Sequence, residues 1–294
     1  MSRAAALALA ALASGCAASA LQRPDELTWA IEDDGSAKGS DSFEIQGELT
    51  QGGWVRGTVP RDTSALTLDG KPVRIAPDGS FFVAFDRDAA ASAVLAARMG
   101  RSGVFVTRQL TVSPRAWQIE RVDASPTGSA PSATFLALRQ PELARINAAR
   151  SKVTDAQGWR QHFIWPAKGR ISGRFGSQRI YRGQPGAYHS GLDIAGGAGT
   201  PFVAPADGVV ILAAQAPFTL EGNLLMIDHG MGLNSAFLHC SQLLVREGDH
   251  VRQGQVIGRI GMTGRATGPH LHWSVKWNDA RLDPILLTGP AGSE

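Results

Sequence analysis

The sequence predicts a mostly β protein: an N-terminal β-sandwich, a Pro- and Ser-rich linker with a short helix, and a C-terminal antiparallel sheet. Three observations carry this expectation. Glycine is frequent, at 34 of 294 residues, and aromatics are few, at 7%, which favours short strands and tight turns over long helices. Two long stretches, about 41–115 and 161–288, break into short alternating apolar and polar runs punctuated by glycine. Between them, "AWQIERVDASPTGSAPSATFLAL" loses periodicity and collects Ser, Pro and Gly.

The chain opens with "MSRAAALALAALASGCAASALQ", in which one basic residue precedes an apolar stretch and then small residues. This is the anatomy of an export signal, and the stretch is too short for a membrane span. Two processing sites stay open. Ala18-Ser19-Ala20 offers a small-x-small cleavage site, giving a signal of residues 1–20. Ala13-Ser14-Gly15-Cys16 resembles a bacterial lipobox, giving a signal of 1–15 and a lipid anchor on Cys16. Either places the protein outside the cytoplasm, in the periplasm or cell envelope, and the second makes it an outer-membrane lipoprotein. Cys240 is the other cysteine, so no internal disulfide is expected in the mature chain.

Residues 21–115 are read as the sandwich. "FEIQGELTQGGWVRGTV", "ALTLDGKPVRIAPDGSFFVAF", "AVLAAR" and "VFVTRQLTV" alternate as half-buried strands do, and Asp69-Gly70 and Asp78-Gly79 suggest hairpins. This stretch contains no histidine and no acidic or cysteine cluster, which points to an accessory module. Residues 116–160 are read as linker and short helix. After Pro141, "ELARINAARSKV" places Leu143, Ile146 and Ala149 along one helical stripe. Residues 161–288 form the second β domain, and 289–294 a tail.

Charge narrows the partners. Residues 21–160 carry 17 basic and 17 acidic side chains, and 161–294 carry 11 and 9. That balance lacks the clustered Lys and Arg of a nucleic-acid surface.

The chemistry-bearing residues lie in the second β domain. "GPHLHWSVKW" reads as a strand with His270, His272, Ser274 and Lys276 on one face and Leu271, Trp273, Val275 and Trp277 on the other. "HSGLD" adds His189 and Asp193, and "FLHC" adds His239. Two His and one carboxylate meet the ligand count of a catalytic zinc site, with further His free for acid–base work. On residue types alone, this reading and one of hydrogen-bonded structural histidines both stay open. Cys240 is expected to point into the core, His229 to serve a strand-end turn, His162 and His250 to be exposed, and Asn223 to sit in a turn. The loops "GGAGTP" and "GMTGRATGP" lack the P-loop pattern and are read as groove flanks.

"HSGLD", "FLHC" and "TGPHLHW", in that order and with their flanking glycine-rich segments, resemble the signature of the lysostaphin-type zinc metalloendopeptidases over about residues 160–288. The resemblance implies one Zn2+ per domain held by His189, Asp193 and His272, with His239 and His270 as catalytic residues. It also implies cleavage of peptide bonds in bacterial peptidoglycan. The lipobox-like signal favours the D-alanyl–diaminopimelate cross-link. Some family members use an assisting tyrosine, and Tyr181 and Tyr188 are the nearest here without matching its position. The alternative is a peptidoglycan-binding activator of other wall hydrolases, which in this family has lost its ligand residues. "VREGDHVRQGQVIG" also looks like a biotinyl or lipoyl carrier hairpin, but the only lysine after Lys168 is Lys276, so no hairpin-tip lysine exists. An envelope protein partner is left open, with its identity unknown.

Overall fold

The computed structural model describes residues 40–100, 102–125 and 132–289. The export signal and Cys16 therefore lie outside the described residues, as does most of the tail.

The N-terminal strands are β1 (Glu44–Gly47), β2 (Trp54–Thr58), β3 (Thr63–Leu68), β4 (Lys71–Val73), β5 (Ser80–Ala84), β6 (Ser92–Met99) and β7 (Phe105–Thr111). They form two antiparallel sheets, in the orders β1-β2-β5 and β4-β3-β6-β7. Inward-facing Val55, Leu66, Phe81, Val83, Leu95 and Leu110 are buried. Asp69 and Gly70 both have positive φ, 49° and 78°, and close a two-residue hairpin that pairs Leu68 with Lys71. Asp78-Gly79 does not make the expected hairpin. It turns the chain out of β4 and into β5 of the other sheet, because Phe81 and Val83 find their buried neighbours beside β2.

The segment expected as irregular linker is partly ordered into elements. Strand β8 (Ile119–Val122) pairs parallel with β10 (Gln178–Tyr181). Helix α1 (Ala133–Arg150) starts eight positions before Pro141, capped by Ser132, whose Oγ accepts from the Phe135 N–H at 3.1 Å. Pro141 is exposed, so water solvates the backbone carbonyl it leaves unpaired and the helix runs through it. Ile146 and Ala149 are buried as expected, but Leu143 faces solvent.

The C-terminal elements are β9 (Ile171–Gly173), β10, β11 (Gln184–Pro185), β12 (Leu192–Ala195), β13 (Pro201–Val203), β14 (Gly208–Phe218) and β15 (Gly222–Asp228). They continue through β16 (Leu233–Cys240), β17 (Gln242–Leu243), β18 (His250–Val251), β19 (Val256–Arg259), β20 (His270–Trp277), β21 (Ala280–Leu282) and α2 (Ile285–Thr288). The central antiparallel sheet has the order β18-β14-β15-β16-β20-β12-β9, with β21 beside β20. One face carries Leu271, Trp273, Val275 and Trp277 into a core shared with Phe237 and Ile227. On the other face, α1 packs Ile146 and Ala149 against Leu212, Met226 and Ala236.

The sandwich and the C-terminal sheet share one hydrophobic core. Phe82 packs against Trp277 at 6.5 Å between ring centroids and stacks on Trp54 at 6.0 Å. Trp54 Nε1 donates to the Leu286 carbonyl at 2.7 Å, and Arg115 pairs with buried Asp283 at 2.8 Å.

Candidate active site

Leu192 and Ile194 of β12 are buried, which turns Asp193 to the opposite face. The β12–β20 register sets Asp193 directly across from His272, where facing side chains meet. His189 arrives from the loop before β12, anchored by its own N–H to the Ser177 carbonyl and by its carbonyl to the Gly176 N–H. The donor atoms converge: His189 Nε2 lies 3.1 Å from Asp193 Oδ1 and 3.1 Å from His272 Nδ1, and His272 Nδ1 lies 2.8 Å from Asp193 Oδ1. Four ligands at zinc–nitrogen distances stand about 3.3 Å apart around a tetrahedron, so this triangle fits three corners with little adjustment.

The protonation pattern supports a shared cation. His189 Nδ1 lies 3.1 Å from the Arg174 carbonyl, which can only accept, so Nδ1 carries the proton. A neutral His189 then turns its Nε2 lone pair toward the Asp193 carboxylate, an arrangement that only a proton or metal between them makes favourable. Burial pulls the His189 pKa down, but the Asp193 hydrogen bond and charge raise it on balance. Burial pushes the Asp193 carboxyl up, yet the hydrogen bonds and charges of His189 and His272 hold it well below the usual carboxylate range. Burial lowers His272, outweighing the help of Asp193.

His270 and His239 stand beside this triangle. His270 Nε2 is 3.7 Å from Asp193 Oδ1, and the His239 and His270 rings are 5.0 Å apart. Each donates Nδ1–H to a carbonyl, His270 to Gly268 at 2.9 Å and His239 to Thr263 at 2.8 Å. That leaves each Nε2 with a free lone pair. Burial lowers His239, and the nearby His270 and His272 add to the effect, which keeps it neutral.

Strict alternation along β16 would send His239 to the core face, because Leu238 pairs with His272 on the site face. A bulge prevents this. Leu238 and His239 together oppose the single residue Leu224, and His239 adopts a left-handed φ of 64°. The extra residue swings the imidazole to the site and returns Cys240 to the core, where burial pushes its thiol up to about 12.

Two glycines leave room for the cluster. A Cβ on Gly191 would stand 2.6 Å from His272 Nε2, and one on Gly173 would stand 2.3 Å from Asp193 Oδ2. Sequence reasoning named neither, nor the carbonyls of Arg174, Thr263 and Gly268. The glycine-punctuated loop "GMTGRATGP" was the visible signal for Thr263 and Gly268, and the glycine inside "HSGLD" the one for Gly191. Tyr188 is held away, its hydroxyl donating to Asp86 at 3.3 Å while Arg281 donates to it. His229 is fully buried at the end of β15, and His162 and His250 are exposed. Asn223, expected in a turn, lies instead within β15, paired with Cys240, and its Nδ2 donates to the Cys240 carbonyl at 2.9 Å.

Residues 187–284 match the family model described as Peptidase family M23. The chain is 40% identical over 116 residues to the peptidoglycan DD-endopeptidase ShyA of Vibrio cholerae, covering 39% of this chain and 26% of that protein. It is 39% identical over 125 residues to the DD-carboxypeptidase/endopeptidase Mpg of Neisseria meningitidis, covering 41% of this chain and 27% of that one. The chain thus spans about a quarter of the length of these curated relatives. A crystal structure from Pseudomonas aeruginosa carrying the designation peptidase M23 superposes with a TM-score of 0.63 at 29% identity, covering 82% of this chain and 96% of that one. Over residues 187–284, a third of its length, this chain is thus similar to peptidase family M23, the lysostaphin-type family.

Proposed function

We propose that the protein is a zinc-dependent endopeptidase that cleaves peptide cross-links of bacterial peptidoglycan, with the D-alanyl–diaminopimelate bond as its target. The observation that carries this is the convergence of His189 Nε2, Asp193 Oδ1 and His272 Nδ1 within hydrogen-bond distance of one another, beside two histidines with free Nε2 atoms. Residues 161–288 form the catalytic part, residues 21–115 an accessory part, and 116–160 the connection. The DD-endopeptidase names of the relatives support the substrate class.

In this reading His189, Asp193 and His272 hold one zinc ion. Zinc bound there supplies a Lewis acid that polarises the scissile carbonyl and lowers the pKa of the attacking water. Of His239 and His270, one imidazole would take up the water's proton at its free Nε2, and the Nε2–H so formed would hydrogen-bond the developing oxyanion and then pass its proton to the leaving amine. Their Nδ1–H bonds to the carbonyls of Thr263 and Gly268 fix tautomer and ring plane throughout. An envelope location fits the relative named lipoprotein NlpD/LppB homolog of Pseudomonas aeruginosa, 36% identical over 128 residues. Among the described residues, no helix is long and apolar enough to cross a membrane.

The test is mass spectrometry of products from a defined cross-linked stem-peptide dimer, run with zinc-loaded and chelated full-length protein. Cleavage at the D-alanyl–diaminopimelate bond, lost on chelation and restored by zinc, is the expected result. Undiminished cleavage after full zinc removal overturns the metallopeptidase reading. Binding without cleavage by the zinc-loaded protein establishes the non-catalytic activator instead.

A further inference from the structure

Downstream of the histidines, the site face of β20 carries a group of positive charges that the proposed chemistry does not use. Lys276 lies four residues beyond His272 on the same face, about 13 Å along the strand. The β20–β21 register places Arg281 directly across from Lys276 on one side, and the β16–β20 register places Asn234 across from it on the other. These three side chains therefore form one row across the sheet, parallel to the row of Leu238, His272 and Asp193. Arg150, in the last turn of α1, stands close enough to Arg281 and Lys276 for their charges to act on one another.

No carboxylate forms a close ion pair with the Arg150 or Arg281 side chain among the described residues. The Arg150 guanidinium makes no hydrogen bond or ion pair among the described residues, and its Nε is both buried and unpartnered. Lys276 meets only Asp279, at a loose 3.6 Å, and Asp279 is fully exposed. Asp228, two strands away across Asn234, is already held by the Thr154 hydroxyl. The Arg281 side chain donates to the neutral Tyr188 hydroxyl, while its main-chain N–H donates to Asp86, a carboxylate that Tyr188 also holds. The mutual repulsion is felt: burial and then Arg281 lower the Arg150 pKa against a smaller opposing pull from Glu221, and burial and then Arg150 lower that of Lys276 against a smaller pull from Asp279. Three cations gathered around one polar amide, with no carboxylate in close contact with the two guanidinium groups, match the charge and hydrogen-bonding needs of a carboxylate.

We infer that Lys276, Arg150 and Arg281 form a subsite that binds a carboxylate of the substrate peptide, a few residues from the bond cleaved beside His272. The inference rests on the endopeptidase reading for its substrate, since an extended peptide covers about 13 Å in roughly four residues. Stem peptides carry such free carboxylates. The row sets the register of the bound strand, and selects peptides bearing a charge at that distance over uncharged ones.

The experiment compares a synthetic cross-linked stem-peptide dimer with its twin in which the free carboxylates are carboxamides, using the full-length protein. Wild type is expected to show a KM about tenfold lower for the carboxylate form, as befits one charge-assisted contact, with kcat little changed. Lys276→Gln should raise KM about tenfold on the carboxylate form and leave the carboxamide form unmoved. Arg150→Gln should act in the same direction, and Lys276→Gln carries the test if loss of Arg150 perturbs α1. Equal treatment of the twins by wild type, or equal loss on both by Lys276→Gln, overturns the subsite. Calorimetric binding of both forms to metal-stripped protein reads the same preference without hydrolysis. Discrimination in binding without any cleavage upholds the subsite and sinks the endopeptidase reading, whereas cleavage without discrimination sinks the subsite alone.

Discussion

Two regions of the C-terminal sheet bury histidines, and they use them in opposite ways. At the end of β15, His229 lies fully inside the core against Phe163, with Nδ1 on the Asp207 carbonyl at 2.8 Å and Nε2 on the Ser235 hydroxyl at 2.8 Å. Both ring nitrogens are committed to the protein. Around the head of β20, His189, His239 and His270 each commit Nδ1 to a backbone carbonyl; His239 and His270 leave Nε2 free, and His189 turns its Nε2 into the Asp193–His272 cluster. The difference separates a histidine that completes a core from one prepared for a ligand or a proton. Burial alone does not separate them, since His272 is also buried. The count of unused nitrogens does.

The strongest way to break this comparison is to remove a donor from the cluster. His272→Ala is expected to abolish stoichiometric zinc binding and cut hydrolysis by about 10³-fold or more, with a folded spectrum retained. Zinc content by elemental analysis and product formation check it, and an unchanged metal content would refute the donor set. A smaller effect should follow from crowding the cluster without touching a donor. Gly191→Ala places a methyl group 2.6 Å from His272 Nε2, and displacement of a ligand ring on this scale costs roughly 10–100-fold in metal affinity or activity. Competition with a chelator of known affinity measures that loss. If zinc affinity were unaltered, the ring would have more freedom than the geometry allows.

The smallest effect on activity should come from the other region. His229→Gln should leave zinc content and turnover unchanged while costing about 1–3 kcal/mol of stability, the range for a buried hydrogen-bonding group left unsatisfied. It should also change the response to acid. Burial pushes the folded-state pKa of His229 down to about 4, whereas an unfolded histidine titrates near 6.5. Between those values the unfolded chain binds the extra proton, so stability falls as pH drops, by on the order of 3 kcal/mol across the window. Melting curves from pH 7 to 4 should therefore fall less steeply in His229→Gln than in wild type. Parallel curves would mean that His229 takes up its proton without leaving its two partners.

The sequence made the composition of the site legible but not its construction. The alternation in "GPHLHWSVKW" places His270 and His272 on one face and four apolar side chains on the other, as found. The spacing within "HSGLD" does not reveal that Asp193 sits opposite His272, because strand register depends on contacts nearly eighty positions apart. His239 is the sharpest case. Alternation alone would bury it, and only the bulge against Leu224 brings it to the site. The early start of α1 was hidden by Pro141, since a proline inside a helical pattern ordinarily marks a boundary and its exposed setting here is a tertiary fact. The turn at Asp78-Gly79 was legible as a turn, but not as a passage between two sheets.

The aromatic contact from Trp54 through Phe82 to Trp277, locked by the Trp54–Leu286 hydrogen bond, makes the sandwich and the C-terminal sheet one cooperative unit in heat. Neither layer can melt first without exposing the rings that complete the other. The histidine cluster is therefore held at a fixed angle to the sandwich. The two layers are built as one rigid block, not as a hinged jaw.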